Sequence, residues 1–199
     1  MIRQLIEKTR SVRRYREHEE LGEKELRGLV DLARLGGSAR NGQSLKYMIV
    51  TESKLRMRIF NLLKWAGYLK DWPGPGQGER PPAYIICLLD RKLSKGPERE
   101  AYFDLGIATQ NLLLGAAEKG ISGCRIAAFA RDIGKILYLD EQYKVLLVLA
   151  LGYPAEKVVL EELKANGDIR YWRDADGVHH VPKRGLDEIL LPVRKLPFE

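Results

Sequence analysis

Apolar residues recur at helical spacing in several stretches and run together in others. Ile2, Leu5 and Ile6 predict a short amphipathic helix within Met1 to Thr9. Leu26, Leu29, Val30 and Ala33 predict a second, from Glu23 to Leu35, closed by Gly36-Gly37. A third, capped by Ser53, runs through Leu55, Ile59, Leu62 and Leu63 to about Trp65. Continuous apolar runs predict strands at Tyr47 to Thr51, Ala83 to Asp90, Cys124 to Phe129 and Tyr143 to Leu151. Short helices are expected at Ala130 to Leu139 and Leu186 to Leu190. Between them, Ile169 to Asp174 and Val178 to Pro182 flank the turn Ala175-Asp176-Gly177 and read as a hairpin. Glu156 to Ala165, with Val158-Val159-Leu160 at its centre, is open to either strand or helix.

One stretch organises the rest. Ala101 to Gly123 contains no proline and is dominated by helix formers, with Gly120 and Gly123 supplying the stop. Its polar positions Asp104, Asn111 and Glu118 fall on one narrow stripe. Phe103, Ile107, Leu114 and Ile121 line one flank, and Leu105, Ala108, Leu112 and Ala116 the other. A helix apolar over most of its circumference must be covered on nearly every side, by the chain itself or by a second copy. Ala101, Ala108 and Gly115, at heptad spacing, let another helix approach closely.

The connections carry the candidate chemistry. Arg10-Ser11-Val12-Arg13-Arg14-Tyr15-Arg16 sets four arginines, a hydroxyl and an aromatic in seven residues, the makings of an anion site. Ser38-Ala39-Arg40-Asn41-Gly42-Gln43-Ser44 offers amides that both donate and accept, suited to a heteroaromatic edge. The Gly/Pro-rich loop from Tyr68 to about residue 82 is of the kind that covers a site, and Lys183-Arg184 is a second basic pair.

Composition changes this picture little. A chain of 199 residues with 45% apolar and 31% charged content is expected to form a single soluble domain over 1–199. A net charge of +7 suits phosphate-bearing partners without choosing between nucleic acid and a nucleotide cofactor. Scattered basic residues and the absence of a helix-turn-helix, zinc or RNP pattern speak against nucleic acid. Cys87 and Cys124 form no C-x-x-C pair and read as buried, reduced thiols. No signal peptide and no apolar run long enough for a membrane span is visible, so a cytoplasmic protein without a membrane partner is expected. His18, His179 and His180 suggest structural roles, and neither metal ligands nor catalytic side chains are assigned.

Taken in order, these pieces resemble the flavin-dependent nitroreductase family. The likeness rests on Arg10-Ser11-Val12-Arg13, on Ser38-x-x-Asn41-x-Gln43, and on Asp104-Leu105-Gly106 through Gly123-Cys124. The Leu151-Gly152-Tyr153-Pro154 turn and Pro182-Lys183-Arg184 complete it. It implies an α+β fold with a central, mostly antiparallel sheet flanked by helices, and a long buried helix at a homodimer interface. It also implies FMN as cofactor, NADH or NADPH as electron donor, and a small electron-poor acceptor such as a nitroaromatic or quinone, in a ping-pong reaction. On the resemblance, Arg10, Ser11, Lys183 and Arg184 hold the FMN phosphate, and Arg13 lies by the pyrimidine edge of the ring. Ser38, Ala39, Asn41 and Gln43 reach the ribityl chain and ring, and a backbone N–H near Ala127-Ala128 faces the reactive nitrogen. Both subunits build each site.

This chain departs from the family pattern at Gly37, where a proline often stands, at Ser44-Leu45, in place of Pro-Trp, and at Ala127-Ala128, in place of Glu-Gly. These differences touch the substrate-facing wall. A relative using reduced flavin for dehalogenation or cofactor breakdown is therefore the alternative.

Overall fold

The computed structural model describes residues 2–164 and 167–193. Met1 and Ala165, at the ends of two expected segments, lie outside them. The chain divides into two compact units, Met1–Glu156 and Lys157–Glu199.

In the first unit the order is α1 (Ile2–Lys8), α2 (Glu23–Arg34), a 3-10 turn (Ala39–Asn41), β1 (Leu45–Val50), α3 (Ser53–Phe60) and β2 (Ala83–Asp90). Then come α4 (Glu98–Glu118), β3 (Ser122–Ile126), α5 (Ile133–Ile136) and β4 (Tyr143–Gly152). Four strands form one sheet in the order β1-β2-β4-β3, each neighbour pair antiparallel. All eight residues of β2 are buried. That explains its unbroken apolar run: a central strand covered on both faces has no polar side to alternate with. Ile85, Cys87 and Leu89 join Leu149 and Leu151 of β4 in the core beneath α2 and α4, while α5 packs against β4 and α3 on the other side.

α4 accounts for much of that core through Ala101, Leu105, Ala108, Leu112 and Ala116. The heptad of small residues does what its spacing predicts. A Cβ added at Gly115 would meet Leu32 Cδ1 of α2, so the glycine faces that helix and makes room for the leucine tip. The polar stripe is not uniformly exposed. Asp104 is buried at 6% exposure, whereas Phe103 (68%) and Ile107 (46%) face outward. The helix ends at Glu118, and Gly120, at φ 74°, turns the chain into β3.

Two expectations are corrected. Glu52, not Ser53, caps α3: its carboxylate accepts from Lys54 N at 2.9 Å and Leu55 N at 2.7 Å. A carboxylate reaches both orphan amides, as the single hydroxyl of Ser53 cannot. β3 begins at Ser122 and stops at Ile126, earlier at both ends than Cys124 to Phe129. Residues 128 and 130 leave the sheet to bond Lys64 N and Leu62 O instead.

In the second unit β5 (Val158–Glu162), β6 (Trp172–Arg173) and β7 (His179–Lys183) form a three-stranded sheet ordered β5-β7-β6, followed by α6 (Leu186–Ile189). The segment open to two readings is thus a strand, parallel to β7. His179 is fully buried. The His180 ring contacts Glu161 at 2.7 Å and Asp174 at 2.9 Å and stacks on Trp172 with centroids 4.9 Å apart. The hydrogen bonds to Asp174 and then Glu161 raise its pKa above the ordinary imidazole value. Among the described residues no cluster of histidine, cysteine or carboxylate side chains could hold a metal ion, and no helix is long and apolar enough to cross a membrane.

Candidate functional site

After α1 the chain reaches the free edge of β3. Ser11 forms a parallel bridge with Gly123, and Val12 N donates to Gly123 O at 3.2 Å. Only glycine fits there, because a Cβ would lie 2.7 Å from Leu113 Cδ2 and 2.8 Å from Ala150 O. Tyr15 then bridges Pro154, and its fully buried phenol donates to Val12 O at 2.5 Å. Glu156 Oε1 accepts from the backbone N–H groups of both Arg13 and Arg14. The backbone of the arginine segment is therefore fixed at both ends and in the middle.

Its side chains are held less evenly. Arg10 Nη2 donates to Ile6 O at 2.6 Å, but Nε is enclosed without a partner, and burial lowers the pKa of the group. Arg13 is 9% exposed, with Nη1 donating to Ser11 O at 3.3 Å; Ser11 itself is exposed. Arg125 of β3 stands nearby, its Nε on Thr109 Oγ1 at 2.9 Å and Nη2 on Gln110 Oε1 at 2.8 Å. Burial lowers the Arg125 pKa, and the charge of Arg10 adds to that. Sequence reasoning missed Arg125. The available signal was a lone arginine inside the apolar run Cys124 to Phe129.

The loop entering β1 lies at the other edge of the sheet. Arg40, Asn41 and Gln43 all adopt left-handed backbone conformations, with φ of 54°, 52° and 48°. The conformation costs about 1–2 kcal/mol at Arg40 and Gln43, and less at Asn41, whose short amide tolerates it. Side chains stabilise the shape: Ser38 Oγ accepts from Gln43 N at 3.2 Å, and Gln43 Nε2 donates to Asn41 O at 3.3 Å. From α4, Asp104 Oδ1 accepts from Ala39 N at 2.9 Å, and Glu100 pairs with Arg40. Asp104 is thus the residue that ties this loop to the long helix. A cleft of about 200 Å³ opens beside it, lined by Gly37, Ser38, Gln43, Tyr47 and Asp104 among others.

The Gly/Pro loop is laced to the arginine segment. Tyr15 N donates to Glu79 O at 2.9 Å, Arg14 faces Glu79 at 3.3 Å, and the Arg14 guanidinium lies 5.9 Å from the Trp72 ring centre. Ala127 and Ala128 follow β3 and are exposed.

Arg10, Ser11 and Arg13 therefore gather on the β3 edge, and Ala127 and Ala128 follow the end of that strand. Ser38, Ala39, Asn41 and Gln43 stand together at the β1 edge. Three strand spacings of about 4.8 Å separate the edges, about 14 Å in all. Lys183 and Arg184 belong to the second unit, where Lys183 O accepts from Leu163 N at 2.9 Å and Arg184 pairs with Glu188 at 3.0 Å.

The model of the Nitroreductase family matches residues 6–153, which span the whole described β-sheet of the first unit. The chain belongs to this family. It is an oxidoreductase by that membership. A protein of Archaeoglobus fulgidus named "Putative NADH dehydrogenase/NAD(P)H nitroreductase" is 25% identical over 158 residues, covering 77% of this chain and 85% of the relative. A Nitroreductase Family Protein from Streptococcus pneumoniae superposes with a TM-score of 0.69 at 17% identity, over 96% of this chain and 100% of the other. A structure from Desulfovibrio desulfuricans described as "a putative nitroreductase in complex with fmn" gives 0.69 at 20% identity, over 100% and 98%. The nitroreductase fold, α+β with its antiparallel sheet between helices, is shared across these structures.

Proposed function

We propose that the protein is an FMN-dependent oxidoreductase passing a hydride from NADH or NADPH to an electron-poor acceptor, a nitroaromatic or quinone, in a ping-pong cycle. Family relatives named as NAD(P)H nitroreductases and two similar structures holding FMN support the cofactor and the donor. When bound, FMN supplies the hydride chemistry, and the chain supplies binding and charge.

The observation that carries this reading is Arg10, whose enclosed Nε has no partner, beside the exposed Ser11 and the tethered Arg125. A half-buried guanidinium and an exposed hydroxyl on a fixed backbone fit a phosphate, which accepts from both at once. Arg10 and Ser11 hold the phosphate in this reading, with Lys183 and Arg184 added on the family resemblance. Ala127, just past the end of β3 and four residues on from Gly123, stands about 13 Å away at ~3.3 Å per residue of extended chain, a span that suits a ribityl chain. Arg13 contributes positive charge near the ring, which stabilises negative charge on it.

Ser38, Ala39, Asn41 and Gln43 lie at the opposite edge and do not reach that cradle within one chain. A two-fold homodimer in which each copy lends its loop to the other's cradle resolves the separation. The outward Phe103 and Ile107 of α4, adjoining exposed Leu32 and Leu35 of α2, give such a dimer its apolar surface. Purified protein should be yellow, with about one FMN per chain, and should bleach anaerobically with NADH or NADPH. Protein that stays colourless after incubation with FMN and gel filtration would overturn the reading.

A further inference from the structure

A second, larger cleft of about 420 Å³ lies apart from the residues assigned to FMN, between α3 and the 80–84 segment. Its volume is that of a small-molecule site. Lys54, Arg56, Arg58 and Arg80 line it, against a single acid, Glu17. That acid is already committed: Glu17 Oε2 accepts from Gly78 N at 2.6 Å and Arg80 N at 3.2 Å, so it neutralises none of the four side chains by a direct pair. Glu52, the neighbouring carboxylate, caps α3.

The cations differ in how they are held. Arg56 is structural, with Nε on Thr51 O at 2.9 Å and Nη1 on Pro81 O at 3.0 Å. Arg80 is a fixed cation. Its guanidinium sits 4.5 Å over the Phe60 ring, Nη1 contacts Met57 Sδ at 3.0 Å, and Nε is enclosed without a partner. Lys54 and Arg58 stand one helical turn apart on α3, a like-charge spacing that destabilises a helix. Among the described residues none of Lys54, Arg58 and Arg80 makes an ion pair. A fixed guanidinium facing two long, unpaired cations across an aromatic and thioether floor is the arrangement that receives a dianion.

We propose that this cleft binds a phosphomonoester, and that in the enzyme it takes the 2′-phosphate of NADPH. The second half of this assignment rests on the oxidoreductase reading; the first does not. The position suits it, since Glu17 and Arg80 line the cleft, and Glu79, next to Arg80, is bonded directly to the arginine segment at Tyr15 and Arg14.

Two probes separate the halves. By calorimetry, 2′,5′-ADP should bind the wild-type protein, and adenosine, which carries no phosphate, at least about tenfold more weakly. A Lys54→Ala/Arg58→Ala double variant, which improves helix propensity on an exposed face, should lose about tenfold or more of 2′,5′-ADP affinity. Arg80→Met, which keeps the bulk over Phe60, should lose a similar factor. In turnover, KM for NADPH should rise about tenfold in both variants while KM for NADH stays within about twofold. Failure of wild type to bind 2′,5′-ADP, or unchanged binding in both variants, overturns the site. Lost 2′,5′-ADP binding with an unchanged NADPH KM overturns the NADPH assignment and leaves a site for another phosphomonoester. Colourless, inactive protein that still binds 2′,5′-ADP in this pattern sustains the site while defeating the oxidoreductase reading.

Discussion

The two edges of the sheet hold their candidate residues in opposite ways. At the β3 edge the backbone runs as an ordinary bridged strand, and the stress lies in the side chains. The half-buried Arg10 guanidinium stands near the exposed Arg125, and its enclosed Nε has no partner. At the β1 edge the stress lies in the backbone, with three non-glycine residues left-handed within four positions, while side chains from the loop and from α4 hold the shape. Charge prepared by desolvation suits an ionic group; a bent loop presenting amides suits a neutral, directional one. A ligand with one charged end and one flat, hydrogen-bonding end needs both, and the sheet keeps them a full width apart.

The sharpest way to break this comparison is to stop the two edges from meeting. Ile107→Glu puts a charge into the proposed dimer surface, and should weaken association by a hundredfold or more, on the order of 3 kcal/mol. Sedimentation should show monomers, and FMN should be lost with the dimer. A monomer that keeps its flavin would show that the β3 edge suffices alone. Next in size is Arg10→Ala, which removes a charge-assisted contact and should lower FMN affinity by about tenfold to a hundredfold in a fluorescence titration. Arg13→Ala should instead act on the potential, leaving bound flavin harder to reduce.

The β1 edge should respond more weakly. Asp104→Ala frees Ala39 N and removes the tie between loop and helix. It should speed proteolysis within 38–44 and lower FMN affinity by up to about tenfold. A loss as large as that of Arg10→Ala would erase the distinction between the edges. The His180 pairing in the second unit serves as a control. Asp174 and Glu161 stabilise the charged imidazole, so its pKa by NMR should exceed the ordinary ~6.5 in every variant. The stability that this pairing contributes is present below that ordinary value and fades as pH rises through the raised one.

Much of this molecule was legible before its structure. β2 was read from Ala83 to Asp90 without error, because a strand covered on both faces leaves an unmistakable apolar run. That a helix could lie close to α4 was readable from Ala101, Ala108 and Gly115, but that α2 is the one was not. Periodicity put Asp104 on the polar stripe but could not say that it is buried, because its partner is a backbone N–H sixty-five positions distant in the chain. Ser53 was preferred as a cap on residue type, where reach favoured Glu52. The candidate site divides similarly. Residue types on the loops announced anion and amide chemistry, but strand order, which sets Ser11 and Gln43 at opposite edges, has no local signature.

The two buried thiols turn that same sheet into its own reporter. Cys87 lies in β2 within the core beneath α2 and α4, its thiol pushed up to about 12 by burial; Cys124 of β3 is likewise raised by burial. Neither is a usable nucleophile while the strands stay paired. Alkylation by iodoacetamide therefore counts openings rather than reactivity. Because one thiol sits on a central strand and the other on an edge strand beside the arginine segment, their labelling rates time the centre and the margin of the fold separately. Cofactor that clamps the margin should slow Cys124 first.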